Sequence, residues 1–186
     1  MRKLLLWLSL FFCCIAAAQP TSFGGITPGK TTLNELKSLF KEDDFIVEKG
    51  NFAGQLKQPE RVSISGNFRD DVVYKIEVSI HSPELKQGLI TKYGVPKIKV
   101  GSIRTVTCKN KFGASFSRLD GKEELRWPAN EGVQGGIERL AGNCGDQIYE
   151  TYSLRHNATI KAIEAEYAAE ARKESEKSRR KFDGAL

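Results

Sequence analysis

The sequence predicts an α+β fold in which helices pack on one face of antiparallel sheet. Apolar and polar residues alternate over residues 72–80, with the two-residue period of a half-buried strand. Ser82, Pro83 and Glu84 follow directly and offer an N-cap hydroxyl, a proline at the first helical position and an acid in the first turn. A helix that begins here can lie back over the strand and bury its apolar face.

Both elements have a defined apolar face. Gly94 and Pro96 are expected to end the helix, because glycine suits a helix C-terminus and proline cannot continue one. The predicted apolar stripe of the helix consists of Leu85, Leu89, Ile90 and Tyr93. In the strand, the predicted buried residues are Val72, Tyr74, Ile76, Val78 and Ile80, with Lys75, Glu77 and Ser79 on the opposite face.

Residues 1–18 have the composition of a secretory signal peptide. Arg2 and Lys3 precede an apolar run over residues 4–15, and an A-x-A cleavage site ends at Ala18. The run is too short for a helix that spans about 30 Å of hydrocarbon. We therefore expect cleavage between Ala18 and Gln19 and a periplasmic location for the mature protein.

Two other fates of the leader are possible in principle. It could remain as an N-terminal membrane anchor, which the short apolar run disfavours. It could also be processed as a lipoprotein at Cys13 or Cys14, but lipidation signals usually have small residues before the cysteine, and Phe11 and Phe12 occupy those positions.

The mature chain, residues 19–186, has the length of one ordinary domain. Loss of Arg2 and Lys3 lowers the formal net charge from +6 to +4, which does not indicate a nucleic-acid partner. Cys108 and Cys144 are the cysteines that remain, and an even pair in an exported protein favours a disulfide. On the chain-entropy account this bond stabilises the fold by about 3 to 4 kcal/mol.

The first helix is predicted over residues 33–40, because Thr32 and Glu35 have the spacing of a capping box. A short strand is predicted at residues 45–47, and residues 51–60 are predicted to be a mobile connection. Val62 and Ile64 alternate with serines in a further strand that turns at residues 67–71 into the strand of residues 72–80.

Two successive hairpins are predicted after the second helix. Residues 103–108 and 112–119 pair through a polar turn at residues 109–111. Asp120-Gly121 then forms a two-residue turn, which places Phe116 opposite Leu125. The same register places Ala114 opposite Trp127, so that the apolar residues share one face.

The rest of the chain is predicted as a loop, a strand and a long helix. Residues 130–145 contain five glycines and little periodicity, which indicates a loop. Ile148, Tyr152 and Leu154 indicate a last strand, which lies beside residues 103–108 if the two cysteines bond. The predicted domains are a signal peptide (1–18), one α+β domain (19–156) and a C-terminal charged helix (157–186). The pattern of the α+β domain indicates two tandem helix-plus-meander units.

Ile160, Ile163 and Tyr167 can pack the start of the C-terminal helix against the domain. Its distal residues 172–181 hold six basic and two acidic residues. This basic segment has two interpretations, a frayed tail or an arm that contacts a membrane surface.

Residues 24–31 match G-x-x-x-x-G-K-[ST], the phosphate-binding loop of nucleotide hydrolases. That loop requires a buried strand before it, and after cleavage only residues 19–23 precede Gly24. We therefore predict no nucleotide partner, and we expect Gly29 and Lys30 to lead into the Thr32 cap.

The same segment carries a family resemblance. Gly25-Ile26, Gly29 and Thr31, opening a short helix after a signal peptide, resemble small periplasmic domains of the SmpA/OmlA (BamE) lipoprotein group and the β-lactamase-inhibitor-protein-like group. The residues Lys92-Tyr93-Gly94-Val95-Pro96 are similar to the ends of first helices in such domains. The resemblance implies a scaffold of helices and sheet whose sheet or loops bind another protein.

No set of residues has the spacing of a catalytic or metal site, so the sequence predicts neither an enzyme nor a cofactor. The histidines, His81 and His156, lie at predicted element boundaries. Adjacent acidic residues at 43–44, 70–71 and 123–124 point in different directions and fit solvated turns.

We therefore expect an exported, non-enzymatic protein that binds a protein partner in the cell envelope. The alternative is a small hydrolase-like enzyme with its site in residues 130–145 near His156. A pocket that gathers a histidine and a carboxylate would favour the enzyme, and an exposed apolar surface would favour the binding protein.

Overall fold

The computed structural model describes residues 18–59, 62–142 and 147–183, and for residues 181–183 it describes the backbone. Within these ranges the chain forms one eight-stranded antiparallel sheet and three α-helices, which confirms the predicted α+β fold. The helices are α1 (Leu33–Leu39), α2 (Pro83–Tyr93) and α3 (Asn157–Asp183). The strands are β1 (Ile46–Glu48), β2 (Asn51–Gln55), β3 (Ser63–Arg69), β4 (Val72–Ser79), β5 (Ile98–Lys109), β6 (Ser115–Arg126), β7 (Val133–Ala141) and β8 (Ile148–His156).

The sheet joins two meanders of four strands each. Its strand order is β1-β2-β3-β4-β8-β7-β6-β5. α1 precedes the first meander and α2 precedes the second, so the tandem arrangement of helix-plus-meander units is present. The two meanders meet where β4 pairs with β8, from Lys75 opposite Arg155 to Ser79 opposite Thr151.

Both short helices begin with the caps that the sequence predicts. The Oγ1 atom of Thr32 accepts a hydrogen bond from the Glu35 amide, and Glu35 Oε2 accepts one from the Thr32 amide at 2.8 Å. Ser82 Oγ accepts from the Leu85 amide at 3.3 Å, and Gly94, with φ of 74°, ends α2. α1 ends at Leu39, one residue before the predicted end.

The core lies between the two short helices and one face of the sheet. Leu36 of α1 and Leu89 of α2 are 0% and 4% exposed, and both belong to one buried cluster with residues of the strands. Trp127 is 1% exposed, and its indole nitrogen donates to the carbonyl of Gly94 at 2.8 Å. The end of α2 is thereby fixed to the second meander.

β4 confirms the predicted strand but corrects its buried face. Val73, Ile76 and Val78 are buried, whereas Tyr74 is half-buried. The register shifts between Asn67 and Phe68, so that Tyr74 is the extra residue of a β-bulge. A bulge reverses the alternation, and Val73 therefore takes the place in the core that the sequence assigned to Val72 and Tyr74.

The predicted hairpin turn at Asp120-Gly121 is wrong. β6 runs straight through both residues, with Gly121 opposite Ile103 on one side and Ala141 on the other. Phe116 consequently lies opposite Cys108 instead of Leu125. A side chain at position 121 would lie 2.5 Å from a carbonyl oxygen of β5, so this glycine allows a close backbone approach inside a strand.

Two predicted loops are largely strand. Residues 130–145 contain β7, in which Gly135 and Gly136 pair with β8. Residues 51–60 contain β2, which pairs with β1 and β3. The hairpin that follows α2 is confirmed, but its turn comprises residues 110–114 instead of 109–111, and β5 already begins at Ile98.

β8 lies between β4 and β7, so the expected neighbourhood of β8 with residues 103–108 is wrong. Cys108 is buried on β5. Its predicted partner Cys144 lies outside the described residues, as do residues 1–17 of the predicted signal peptide. The disulfide and the cleavage between Ala18 and Gln19 therefore remain predictions.

α3 follows β8 directly and leaves the body of the protein after its first turns. Ile160 and Ile163 are half-buried, and Arg69 Nη2 pairs with Glu166 Oε1 at 2.9 Å. From Glu164 to Arg180 every side chain is exposed, including Tyr167 at 68%. The expectation that Tyr167 packs against the domain is therefore wrong.

Candidate functional site

The two faces of the sheet differ sharply. α1 and α2 cover one face, and we call the opposite one the open face. Along the strands, open-face residues alternate with core residues, as Ser63 and Ser65 do on either side of Ile64, which is 1% exposed. The open-face residues of the first meander and of β8 include Ala53, Ser63, Ser65, Glu77, Ser79, Thr151 and Ser153.

One row of opposed residues crosses the open face through all eight strands. At strand spacings of about 4.8 Å, the row is about 34 Å wide. Ile46 and Ile98 stand at its two ends and are 64% and 44% exposed. In order, the row is Ile46, Ala53, Ser65, Glu77, Ser153, Gly136, Arg126 and Ile98.

The middle of the row lies in a shallow concavity. Two adjoining depressions of about 380 and 320 Å³ are both lined by Ala53, Ser65 and Glu77. The small side chains leave room above the backbone, while larger residues such as Ile46 and Asp44 stand at the edge. The first meander thus offers a floor of short polar side chains with a raised border.

Apolar side chains are concentrated on the open face of the second meander. Leu140 and Tyr149 lie opposite one another on β7 and β8 and are 44% and 64% exposed. Ile98 and Val100 on β5 are 44% and 43% exposed and point to the same face. These are two separate pairs, because Lys122, Glu124 and Arg126 of β6 lie between them. They offer two small apolar contact points on a largely polar face.

Carboxylates on this face are neutralised by bases of the same face. Lys75 Nζ lies 2.8 Å from Glu77, and Lys122 Nζ lies 2.7 Å from Glu138. Glu124 is held between Arg126 and Arg155. These pairs leave the open face close to electrically neutral, which suits a broad contact surface better than a reaction centre.

Glu124 lies at the centre of an arginine cluster. Its two oxygens accept hydrogen bonds from Arg126 Nη2 at 2.5 Å and Arg155 Nη2 at 2.8 Å. Burial alone would raise the pKa of Glu124, but the hydrogen bond from Arg126 and the charges of Arg155 and Arg126 outweigh it and lower that pKa. The carboxylate is therefore held ionised.

The neighbouring residue Glu123 points to the other face, so the adjacent acids 123–124 do not act as a pair. Lys99 and Arg139 both contact Glu123, and their hydrogen bonds lower its pKa. Arg139 also reaches Glu150 at 3.0 Å, and Lys86 of α2 reaches Glu150 at 2.7 Å. This chain of charges ties α2 to the second meander.

His156 lies in a separate depression of about 440 Å³ beside α3. Asp70 and Glu166 also line it, so a histidine and two carboxylates are near one another. However, His156 Nδ1 contacts Thr159 Oγ1 at 2.8 Å, and Glu166 is bound to Arg69. Residues 130–145, where the alternative enzyme site was predicted, are mainly β7, and none of their described residues lines this depression.

The remaining candidate residues are dispersed. His81 is exposed in the connection between β4 and α2. Asp70 and Asp71 form the turn between β3 and β4, with φ values of 49° and 66°. Among the described residues, no group of three or more potential ligands is placed to hold a metal ion.

The phosphate-loop match at residues 24–31 has its amides directed into the protein. The Gly29 amide donates to the Val73 carbonyl at 2.7 Å, and the Thr31 amide donates to the Thr27 carbonyl at 3.0 Å. Lys30 Nζ pairs with Glu131 at 2.7 Å. The segment fastens α1 to β4, and its amides do not converge on one phosphate position.

Sequence reasoning missed the open face as a site. Its residues are individually ordinary, and Leu140 and Tyr149 become neighbours only through the pairing of β7 with β8. A local signal did exist, since Ser63 and Ser65 alternate with the buried Ile64 and indicate an uncovered face.

Among the described residues, no helix has both the length and the apolar character that crossing a bilayer requires. No protein family, curated protein or solved structure matches the chain, and the resemblance to SmpA/OmlA and β-lactamase-inhibitor-protein-like domains therefore remains a prediction.

Proposed function

We infer that this protein is a non-enzymatic binding protein of the periplasm, and that its open face holds another protein of the cell envelope. The observation that carries the inference is the uncovered face of the sheet, whose row of opposed residues has exposed isoleucines at both ends and a depression over Ala53, Ser65 and Glu77. A shallow depression over β2, β3 and β4 accommodates a protruding segment of a partner, and the other strands extend the contact surface to about 34 Å.

The chemistry of the open face supports a protein ligand. Exposed apolar residues at an otherwise polar surface provide the desolvated anchors on which most interfaces depend. Tyr149 and Leu140 supply such anchors on one side, and Ser65 and Ser79 supply hydrogen-bonding groups on the other. The internally paired charges keep long-range repulsion low, so that partners of either sign can approach.

The proposed location rests on the leader and the cysteines. A cleaved signal peptide would deliver the chain to an oxidising compartment, where Cys108 and Cys144 would form a disulfide. The resemblance noted in the sequence implies the same kind of protein, a periplasmic scaffold that binds through its sheet or loops.

The test is site-specific photo-cross-linking in a producing bacterium. A benzoylphenylalanine at position 65 lies in the concavity, and one at Gln87 lies on the exposed side of α2 as the matched control. We expect a discrete adduct from position 65 and none from position 87. The charged variants S65R and Q87R complete the comparison, and only S65R should abolish the adduct of a second probe at Ser79.

Equal adducts from both positions, or none from position 65, would refute the assignment of the open face. An adduct of twice the chain mass would identify the partner as a second copy of this protein. Intact mass before and after reduction and alkylation tests the location separately. A mature chain that begins at Gln19 and gains two alkyl groups only after reduction is expected.

The depression at His156 supports a second candidate function, hydrolysis of a small substrate. His156 and Asp70 line the same space of about 440 Å³. Generic ester and phosphoester substrates should then be turned over by the wild type and not by H156Q. No turnover by the wild type would refute hydrolysis and leave binding as the supported function. The contact of His156 with Thr159 already weighs against a catalytic role for this histidine.

A further inference from the structure

The β5–β6 hairpin projects well beyond the rest of the sheet. β7 accompanies β6 only as far as Gly121, which lies opposite Ala141. Beyond that point six more pairs join β5 to β6, from Arg104 opposite Asp120 to Lys109 opposite Ser115. At about 3.4 Å per residue this ribbon, residues 103–119, extends about 20 Å before its turn.

The charges of the ribbon have one sign. Residues 97–119 include six basic residues and no acidic one. The four basic residues of the ribbon are Arg104, Lys109, Lys111 and Arg118, and none of them forms an ion pair within the described part of the chain. The next acidic residue along the chain is Asp120, which lies at the base of the ribbon. The field at the tip is therefore uniformly positive.

An aromatic side chain stands at the tip. Phe112 is 82% exposed, the highest exposure of any large apolar residue that the structure describes. The side chain of Asn110 accepts hydrogen bonds from the Phe112 and Ala114 amides at 2.9 and 3.0 Å, which fixes the turn. Lys111 Nζ lies 5.0 Å from the Phe112 ring centre. The ribbon thus presents an exposed phenyl ring with the ammonium group of Lys111 beside it.

We propose that the tip of this ribbon docks on an anionic phospholipid surface. Phe112 enters the boundary between head groups and acyl chains, and the basic residues of the ribbon contact lipid phosphates. Aromatic rings favour this boundary, and basic residues near an anionic surface add electrostatic attraction. This surface is separate from the open face, and the inference does not depend on the proposed protein partner.

The ribbon fits this role better than the basic end of α3. Residues 172–181 of α3 include two acidic residues, whereas the ribbon includes none. The ribbon extends from the end of the sheet where β8 begins, and α3 starts at the end where β8 finishes. The ribbon and α3 therefore lie at opposite ends of the sheet, and a flat membrane can contact only one of them at a time. A second copy of the ribbon is disfavoured because like charges would face each other.

The first experiment measures co-sedimentation of the purified protein with vesicles of phosphatidylcholine, with and without phosphatidylglycerol. We expect binding only to the anionic vesicles. K109Q/K111Q should weaken it roughly fivefold for each lysine removed. Raising the salt from about 0.1 to about 1 M shortens the Debye length from about 10 to about 3 Å and should release the protein.

Matched controls separate the ribbon from α3. F112S should weaken vesicle binding, whereas Y167S, which removes an exposed aromatic ring from α3, should leave it unchanged. K173Q/K177Q should likewise have no effect. Loss of binding in K173Q/K177Q with full binding in K109Q/K111Q would overturn the proposal, as would equal binding to neutral vesicles or no binding to anionic ones.

A second readout reports insertion directly. In a chain that begins at Gln19, Trp127 is the native tryptophan and it is buried, so the added indole in F112W is the one that solvent and lipid can reach. Its emission should shift to the blue on addition of anionic vesicles. Binding without a shift would exclude insertion of the tip and would overturn the proposal.

Discussion

The substitution Y152F should stabilise the protein. Tyr152 is completely buried on β8, with its ring 6.1 Å from the Trp127 ring and 5.6 Å from the Phe23 ring. Its hydroxyl has no hydrogen-bond partner among the described residues. Burying such a group without a partner costs about 1 to 3 kcal/mol. Phenylalanine keeps the ring contacts and removes that cost.

The matched control is Y93F. Tyr93 lies in the same aromatic cluster, but its hydroxyl donates to the Ser22 carbonyl at 3.3 Å. Removing a hydroxyl that has a partner should lower the free energy of unfolding by about 1 kcal/mol. Urea unfolding followed by circular dichroism measures both variants. We expect the urea midpoint to rise in Y152F and to fall in Y93F, while the slope of the unfolding free energy against urea concentration stays unchanged.

The dependence of stability on pH above neutrality gives an independent check on Tyr152. Burial, and then the charge of Tyr93, raise the pKa of Tyr152 above its ordinary value. Above a pH of about 10 the unfolded chain loses this proton while the folded protein keeps it. The stability of the wild type relative to Y152F should therefore be constant below that pH and fall above it, by about 1.4 kcal/mol per pH unit. Loss of stability in Y152F equal to that in Y93F would refute the reasoning.

Two further predictions concern glycines and cysteines. G66A should destabilise the fold by about 1 to 3 kcal/mol, because its Cβ would lie 2.2 Å from the Lys75 carbonyl oxygen. G88A, in the interior of α2 with nothing within 4 Å of the new Cβ, should be stabilising by about 0.5 to 1 kcal/mol, and equal effects of the two would contradict the packing described. Reduction of a bond between Cys108 and Cys144 should lower the free energy of unfolding by about 3 to 4 kcal/mol in a denaturant titration, and C108S should then be insensitive to reductant.

The features that the sequence predicted correctly are those decided by neighbours in the chain. Thr32 and Glu35 satisfy each other across one helical turn, and Ser82 with Gly94 delimits α2 in the same local way. Such hydrogen bonds are specified by spacing alone, and no distant strand is needed to form them. The α+β class could be predicted for the same reason, since the capped helices alternate along the chain with stretches that have the two-residue period of strands.

The errors arose where a distant strand decides the outcome. Gly121 reads as a turn locally, but β5 and β7 hold its strand extended on both sides. Gly135 in β7 also resembled loop sequence. A Cβ there would lie 2.4 Å from Pro20, so this glycine makes room for the N-terminal segment. Composition does not distinguish a glycine needed for a turn from one needed for close packing.

The open face could be predicted only in part. Alternating serines indicated that Ser63 and Ser65 are uncovered, whereas the row that ends at Ile46 and Ile98 requires the register of every strand pair. The β-bulge at Tyr74 changes that register within one strand. Local sequence holds no information on it.

The pairing of β4 with β8, which joins the two meanders, has a consequence for biogenesis. Lys75 and Arg155 lie 80 residues apart, whereas pairs within each meander are close in sequence. Non-local pairing of this kind forms late. While the chain emerges, the first meander therefore exposes the edge of β4 until β8 arrives, and an exposed strand edge invites pairing with other chains. Truncation before Ile148 should therefore yield an aggregating chain.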